Sequence, residues 1–168
     1  MIFITSACED RIYNEDKSNT RQVQVMFCSN ILVAFDGSEL SEIALGKAVM
    51  AAKTDSRIRL NVIVVVKPRV IVGSVYVTID ENILDSELQY GYEVVDKVEK
   101  SLKHVTNPHT VSLIKGTPQD EILRFAKEQH CDLIVMGSRG LSGLKEFFLG
   151  SVSHYVAQHA EVPVLIVK

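Results

Sequence analysis

Short apolar runs alternate with amphipathic segments over most of this chain. The runs fall at residues 31–35, 57–66, 110–114, 133–136 and 164–167, and each is bounded by glycine, proline or polar residues. Apolar runs of this length are typical of parallel strands that are covered on both faces. The pattern therefore predicts five buried strands, with a helix or a loop between successive strands.

The first two connecting segments have helical spacing. Ser38 is placed to cap the first helix, because a serine side chain at this position accepts a backbone N–H of the first turn. The predicted sheet-facing side of that helix consists of Leu40, Ile43, Ala44, Ala48 and Ala51. A second, longer amphipathic helix is predicted from the spacing of Leu84, Leu88, Val95, Val98 and Leu102.

The third and fourth helices have clear starts. Thr117 is the predicted N-cap of the third helix and Pro118 its first residue, a position at which the missing N–H of proline costs nothing. The predicted buried side of this helix consists of Ile122, Phe125 and Ala126. The fourth helix is predicted over Ser151–His159, and Pro163 separates it from the last strand.

One stretch has no single interpretation. Residues 69–80 are apolar, but Gly73 and Ser74 interrupt them. Their composition suits a mobile flap near the sheet edge as well as a short extra strand, and we leave them unassigned.

The alternation of strands and helices predicts an α/β fold with a doubly wound, five-stranded parallel sheet and helices on both faces. The first strand ends at Asp36 and the fourth at Gly137. If both turns contact one ligand, these two strands are neighbours, which gives the order 3-2-1-4-5. In such sheets the ligand binds at the carboxyl ends of the strands, where the strand order reverses.

Composition narrows the class of protein. With 168 residues and 46% hydrophobic content, the chain suits one compact domain. Its 18 Lys and Arg against 21 Asp and Glu give a net charge of −3, and no basic block follows the pattern of a nucleic-acid or membrane-surface site. We therefore expect no nucleic-acid partner and no membrane partner.

The cysteines and the N-terminal region point to a cytoplasmic protein. The three cysteines are unclustered, which predicts reduced thiols and no metal site. No apolar run is long enough to span a bilayer, and the first residues lack the basic start of a signal peptide. Residues 1–29 are polar with no sustained period, so we interpret them as a mobile extension that precedes a single domain over residues 30–168.

The clearest candidate site lies within residues 132–156. An apolar strand is followed by Gly137, Gly140 and Gly143, and an amphipathic helix begins near Gly150 and Ser151. A strand, a glycine loop and a helix start in this order bring backbone N–H groups and the positive end of the helix dipole to the sheet edge. This arrangement favours phosphate binding, although three glycines after a strand also fit a plain loop.

The spacing Gly137-x2-Gly140-x9-Gly150-Ser151 resembles the nucleotide-binding signature of the universal stress proteins. Three more segments fall where that family has them: VAFDGSE at residues 33–39, GTP at 116–118 and PVLIVK at 163–168. A single G-x-x-G is weak, but four positions at fixed spacing in a strand-loop-helix context are a specific combination. The resemblance covers residues 30–168 and implies an adenine-nucleotide-hydrolase-like fold.

The resemblance also implies an ATP site, with or without Mg²⁺. Asp36 and the backbone at Ala34 and Phe35 would lie on the adenine and ribose side, and the backbone of Val65 would recognise the adenine edge. The ribose and phosphates would be lined by Met136, Gly137, Ser138, Arg139 and Gly140. The phosphate tail would receive donors from Gly150, Ser151, Val152 and Ser153.

Several positions have a second interpretation. From the residues alone, Asp36 also suits a helix cap and Arg139 a solvated loop charge. Val64 stands where many family members have histidine, and Ala34 stands where some ATP binders have proline. Because of these two departures, the resemblance implies ATP binding but not its affinity.

The residues also limit the chemistry. The chain has no G-x-x-x-x-G-K-[ST] lysine, no SGG-x-DS loop and no carboxylate pair in the glycine loop, so we do not expect efficient phosphoryl or adenylyl transfer. A receiver domain would need an aspartate where Lys115 stands. We predict no catalytic residue and a nucleotide-dependent stress-response module that acts on an unidentified protein partner. The alternatives are a slow ATPase at the same site and an interaction module that binds no nucleotide.

The last strand predicts self-association. Val164–Val167 would lie at an apolar sheet edge, whose free N–H and C=O groups need covering. Antiparallel pairing of two copies across this strand, as the family does, implies a symmetric homodimer.

Overall fold

The computed structural model describes residues 28–67, 70–72, 77–79, 81–141 and 149–168. The predictions that concern residues 1–27 and Gly143 lie outside the described residues. In chain order the elements are β1 Asn30–Phe35, α1 Glu39–Ala52, β2 Arg59–Val66, β3 Val70–Val72, β4 Val77–Ile79, α2 Glu81–Leu102, β5 His109–Lys115, α3 Pro118–Glu128, β6 Leu133–Gly137, α4 Ser151–His159 and β7 Val164–Val167.

Five of the strands form one parallel sheet in the order β5-β2-β1-β6-β7. Counting only these strands along the chain, this is the order 3-2-1-4-5, so the predicted topology is confirmed. The order reverses between β1 and β6, and the carboxyl ends of these two strands therefore frame the crevice in which a ligand of such a sheet binds.

The unassigned stretch contains two short strands. β3 and β4 pair with each other in an antiparallel two-stranded sheet, with Val70 opposite Ile79 and Val72 opposite Val77. The main sheet contains neither strand. Along the chain, β4 is followed by α2.

The two faces of the sheet are covered by different helices. Ile31, Val33 and Phe35 of β1 belong to the buried cluster that includes α1 and α2. Leu32 of β1 lies in the second cluster, which includes residues of α3 and α4. Alternate side chains of a strand point to opposite faces, so this single apolar run supplies both cores.

The first helix begins where it was predicted to begin, but a different side of it faces the sheet. Ser38 accepts the N–H of Ser41 at 3.3 Å and caps the helix. The predicted buried side was wrong at Ile43, which is 39% exposed, whereas the buried positions are Ser41, Ala44, Leu45, Ala48 and Ala52. The helix has small or apolar residues around most of its circumference, so the pattern alone did not fix its orientation.

The third helix also departs from one detail of the prediction. Pro118 is its first residue and Thr117 occupies the N-cap position, but the Thr117 side chain makes no capping hydrogen bond. Ile122 and Ala126 are buried as predicted, and Phe125 is partly buried against the same core.

Asp132, which precedes β6, connects that strand to the start of β1 at the amino end of the sheet. Its carboxylate accepts the N–H and hydroxyl of Ser29 at 2.7 and 2.6 Å and the N–H of Asn30 at 2.9 Å. Cys28 is 6% exposed and belongs to the core. Cys28 and Ser29, which the sequence assigned to the N-terminal extension, therefore pack on the domain.

Cys28 and Cys131 are free, buried thiols. Burial, and secondarily the negative charge of Asp132, raises the pKa of each thiol to about 11. Both side chains are therefore neutral at physiological pH and act as small apolar groups, as predicted for Cys131. None of the helices in the described part of the chain combines the length and apolarity that a membrane crossing requires.

Candidate functional site

A cavity of about 310 Å³ lies at the carboxyl edge of the sheet, where β1 and β6 end. Its walls come from the ends of β1, β2 and β6, from the loop after β6, and from the first turns of α3 and α4. The predicted site residues that line it are Ala34, Phe35, Asp36, Val65, Met136, Gly137, Arg139, Gly140, Gly150, Ser151, Val152 and Ser153. The fold thus brings nearly all of the predicted site into one concave surface.

Ser138 is the predicted site residue that does not line the cavity. Its side chain is fully buried, its N–H donates to the carbonyl of Val167 at 2.7 Å, and its own carbonyl accepts the N–H of Gly150 at 2.7 Å. The Ser153 hydroxyl donates to that carbonyl as well, at 2.7 Å. Ser138 therefore links the end of β7 to the start of α4. The N–H of Gly150 and the hydroxyl of Ser153, both predicted phosphate donors, are already used inside the protein.

Asp36 joins the two loops that border the cavity. One carboxylate oxygen accepts the N–H of Ser38 at 3.0 Å, and the other accepts the N–H of Leu141 at 3.2 Å. The first contact stabilises the turn before α1, and the second holds the glycine loop against that turn. Ser38 occupies the N-cap of α1, and Asp36 accepts the N–H of Ser38 itself, so the interpretation of Asp36 as the cap of this helix is wrong. Asp36 lines the cavity.

Two glycines allow this close docking. A Cβ on Gly140 would lie far inside 3.0 Å of Asp36 Oδ2, a separation that real Cβ atoms do not show. A Cβ on Gly137 would lie 2.9 Å from Cβ of Leu40 and 3.1 Å from the carbonyl oxygen of Arg139. We predicted these glycines from the approach of a ligand, but the neighbours they accommodate are the protein's own Asp36 and α1.

Part of the cavity lining is apolar. Val65, which was predicted to recognise the adenine edge, lies there with Ala34, Ile63, Ile122 and Met136, all from the core on the α3 and α4 side of the sheet. Met136 had been predicted beside the ribose and phosphates. Alternation along β2 places Ile63 on the same face as Val65, so this neighbour was accessible from the pattern. The lining residues that sequence reasoning missed are Ser41, Ile63, Pro118, Ile122 and Leu141.

The part of the lining near Arg139 and the start of α4 has the properties of an anion site. Arg139 lines it, and its Nε is buried without a hydrogen-bond partner in the described part of the chain. Gly150, the N-cap of α4, provides no side chain to cap the first turn. The N–H groups of Ser151 and Val152 have no acceptor within the helix, and they lie at the positive end of its dipole.

Asp36 and Arg139 are the two charged residues among the described residues that line the cavity. Within the same described residues, no group of three His, Cys, Asp or Glu side chains is placed to hold a metal ion. The lining combines apolar side chains, one carboxylate and one guanidinium, which together suit a ligand with an apolar part, hydroxyl groups and a phosphate.

Comparison with known proteins identifies the family. The family model described as the universal stress protein family matches residues 28–168. The chain belongs to the universal stress protein family. The resemblance inferred from the glycine spacing is thereby confirmed.

Individual relatives agree with this assignment. Universal stress protein YxiE of Bacillus subtilis is 41% identical over 149 residues, which cover 83% of this chain and 99% of that protein. The solved structure of universal stress protein UspA from Lactobacillus plantarum has 25% identity and a TM-score of 0.72, and covers 83% of this universal stress protein and 97% of the UspA chain. A universal stress protein solved in complex with cAMP has 26% identity and a TM-score of 0.63, with 84% and 97% of the two chains covered.

Proposed function

We propose that this universal stress protein binds ATP in the cavity at the carboxyl ends of β1 and β6. One observation carries the proposal: the residues that match the family's nucleotide signature, with the exception of Ser138, line a single cavity. Its volume of about 310 Å³ lies at the lower end of the range of small-molecule sites. A relative of similar fold that is described as a cAMP complex supports an adenine nucleotide as the ligand class.

The cavity suggests the orientation of the nucleotide. The apolar lining formed by Ala34, Val65 and Met136 suits the adenine, and the Asp36 carboxylate suits a ribose hydroxyl. The phosphates would then approach Arg139 and the start of α4. A Mg²⁺ ion that accompanies ATP would be held mainly by phosphate oxygens and water, since the described residues contain no cluster of three metal-binding side chains.

We further propose that the protein is a cytoplasmic homodimer that uses nucleotide occupancy to regulate a protein partner. β7 pairs with β6 on one side and is the last strand of the main sheet. The hydrogen bond from Ser138 to Val167 connects the glycine loop to this edge, which supports an effect of bound nucleotide on the edge strand. Free thiols at Cys28 and Cys131 fit a reducing compartment.

Nucleotide binding is tested on the full chain purified without added nucleotide. The protein is denatured, the supernatant is examined by mass spectrometry, and the nucleotide-free protein is titrated with ATP, AMP, cAMP and GTP by calorimetry, with and without Mg²⁺. We expect saturable heats with the adenine nucleotides and none with GTP. Incubation with ATP over hours separates a binding module, which leaves ATP intact, from a slow ATPase.

Arg139→Gln tests the phosphate end. We expect ATP affinity to fall about tenfold, because a charge-assisted contact is lost, while Lys127→Gln on α3 makes the same charge change outside the cavity and leaves affinity unchanged. No nucleotide in the preparation and no heat with ATP would contradict the proposed function. Equal effects of the two variants would contradict the role of Arg139.

Ile166→Pro tests the dimer. The carbonyls of Pro163 and Val167 point toward β6, so the backbone N–H of Ile166, an odd number of residues away, points to the open edge. Proline removes this outward N–H and leaves the inward hydrogen bonds of β7 in place. We expect sedimentation to show a dimer for the parent chain and a monomer for the variant. A parent chain that sediments as a monomer would exclude the proposed homodimer.

A further inference from the structure

The second helix contacts the turn that carries Asp36. The hydroxyl of Tyr90 donates to the backbone carbonyl of Asp36 at 3.3 Å. Gly37, the next residue, has φ +86°, and a Cβ there would lie 2.7 Å from the Tyr90 hydroxyl and 3.4 Å from Cγ2 of Val94. The tyrosine hydroxyl therefore lies directly against a turn whose backbone conformation favours glycine.

A glycine on α2 fixes the distance between the helix and the sheet. A Cβ on Gly91 would lie 2.7 Å from Cδ1 of Leu113 and 3.3 Å from Cγ2 of Val66. The helix backbone therefore lies close to the carboxyl ends of β2 and β5 at the residue that follows Tyr90. This close packing of α2 against the sheet brings Tyr90 near the turn that its hydroxyl contacts.

The backbone conformation of this turn determines where the Asp36 carboxylate lies. That carboxylate borders the cavity and accepts the N–H groups of Ser38 and Leu141. Tyr90 of α2 donates to the backbone carbonyl of the same aspartate. Tyr90 is not among the cavity-lining residues. Any effect of its hydroxyl on a ligand must therefore be transmitted through Asp36 and its turn.

We propose that Tyr90 is a positioning residue that sets the affinity of the site for the ribose of the nucleotide. The inference rests on the proposed ATP binding and adds that Tyr90 orients Asp36 toward the sugar hydroxyls. A Tyr90 that only stabilised the fold would affect all ligands of the cavity alike, whereas a positioning residue affects those ligands that contact Asp36.

The test compares ATP with 2′,3′-dideoxy-ATP, which lacks the hydroxyl groups available to Asp36. Tyr90→Phe removes the hydroxyl and keeps the ring. Tyr90 is 41% exposed, so we expect this variant to weaken ATP binding about threefold, toward the lower end of the range for one neutral hydrogen bond, and to change dideoxy-ATP binding by less than about twofold. Tyr92→Phe is the matched control, because Tyr92 is on the same helix, is 60% exposed and does not line the cavity.

A double-mutant cycle with Asp36→Asn completes the experiment. If Tyr90 acts through Asp36, Tyr90→Phe causes no further loss of ATP affinity once Asp36 is replaced. Thermal unfolding of each variant verifies that it is folded. Equal weakening of ATP and dideoxy-ATP, additive effects in the cycle, or an unchanged ATP affinity would each overturn the role of Tyr90. A parent chain that binds neither nucleotide would overturn the proposed function itself, and the two failures are therefore distinguishable.

Discussion

Replacing Gly140 with alanine measures how closely the glycine loop is docked on Asp36. The new Cβ would overlap Asp36 Oδ2, so either the carboxylate or the loop must move. Movement of either group breaks the 3.2 Å hydrogen bond from Leu141 N–H to Asp36. A hydrogen bond to a charged acceptor contributes about 1.5 to 3 kcal/mol when it is buried. Leu141 is 62% exposed, so water replaces part of the contact and we expect a loss of about 1 kcal/mol.

This loss has two measurable consequences. About 1 kcal/mol corresponds to roughly fivefold weaker binding of a nucleotide that needs Asp36 and the loop in place. The same amount lowers the melting temperature of a chain of this size by about 2 to 4 °C. Calorimetric titration with ATP and thermal unfolding of the same preparation measure both quantities.

Gly46→Ala provides the control for the added methyl group. Gly46 lies within α1, and apart from the neighbouring residues and backbone of its own helix, no heavy atom is within 4 Å of the position that its Cβ would occupy. Alanine there should raise the free energy of unfolding by about 0.5 to 1 kcal/mol and leave ATP affinity unchanged. If Gly140→Ala binds ATP with the affinity of the parent chain and melts at the same temperature, the described docking of the loop on Asp36 is wrong.

Two further predictions concern stability. The buried side-chain amide of Asn107 donates to the carbonyls of Ala52, Asp55 and Ile58, so Asn107→Ala should lower the free energy of unfolding in urea by about 1 to 3 kcal/mol; an unchanged urea midpoint would contradict this role. The raised pKa of Cys28 and Cys131 means that the unfolded chain ionises these thiols above pH 9 while the folded chain keeps them neutral to about pH 11. Stability should therefore fall between pH 9 and 11, and a Cys28→Ala/Cys131→Ala variant should show a smaller fall, measured by urea unfolding at pH 8 and 10. Equal pH dependence in the variant would exclude these thiols as the cause.

The bounds of helices and strands were predicted best where glycine, proline or a capping residue stands at their ends. α4 begins and ends at the predicted residues, because Gly150 precedes it and Pro163 separates it from β7. α1 was placed correctly by Ser38 but rotated incorrectly, since alanine on several sides gives no preferred face. The hairpin of β3 and β4 was not assigned, because two three-residue strands are too short for a period to be visible.

The candidate site was predictable in its composition but not in its internal contacts. Glycine spacing and family resemblance located Asp36 and Gly140, which are far apart in the chain and adjacent in the fold. Pro118 and Ile122 were interpreted as a helix start and a core residue, and only the packing of α3 against the sheet makes them cavity walls. The Asp36 contact with the Leu141 N–H involves backbone geometry that no residue pattern specifies.

The central claim is that an adenine nucleotide binds between the ends of β1 and β6. The most direct measurement is a two-dimensional amide NMR titration of the ¹⁵N-labelled full chain with ATP. The account predicts saturable shifts at Gly137, Gly140, Ser151 and Val152, with the amides of Ser29 and Asn30 at the opposite edge of the sheet unchanged. No shifts at millimolar ATP, or shifts confined to the Asp132 edge, would contradict it.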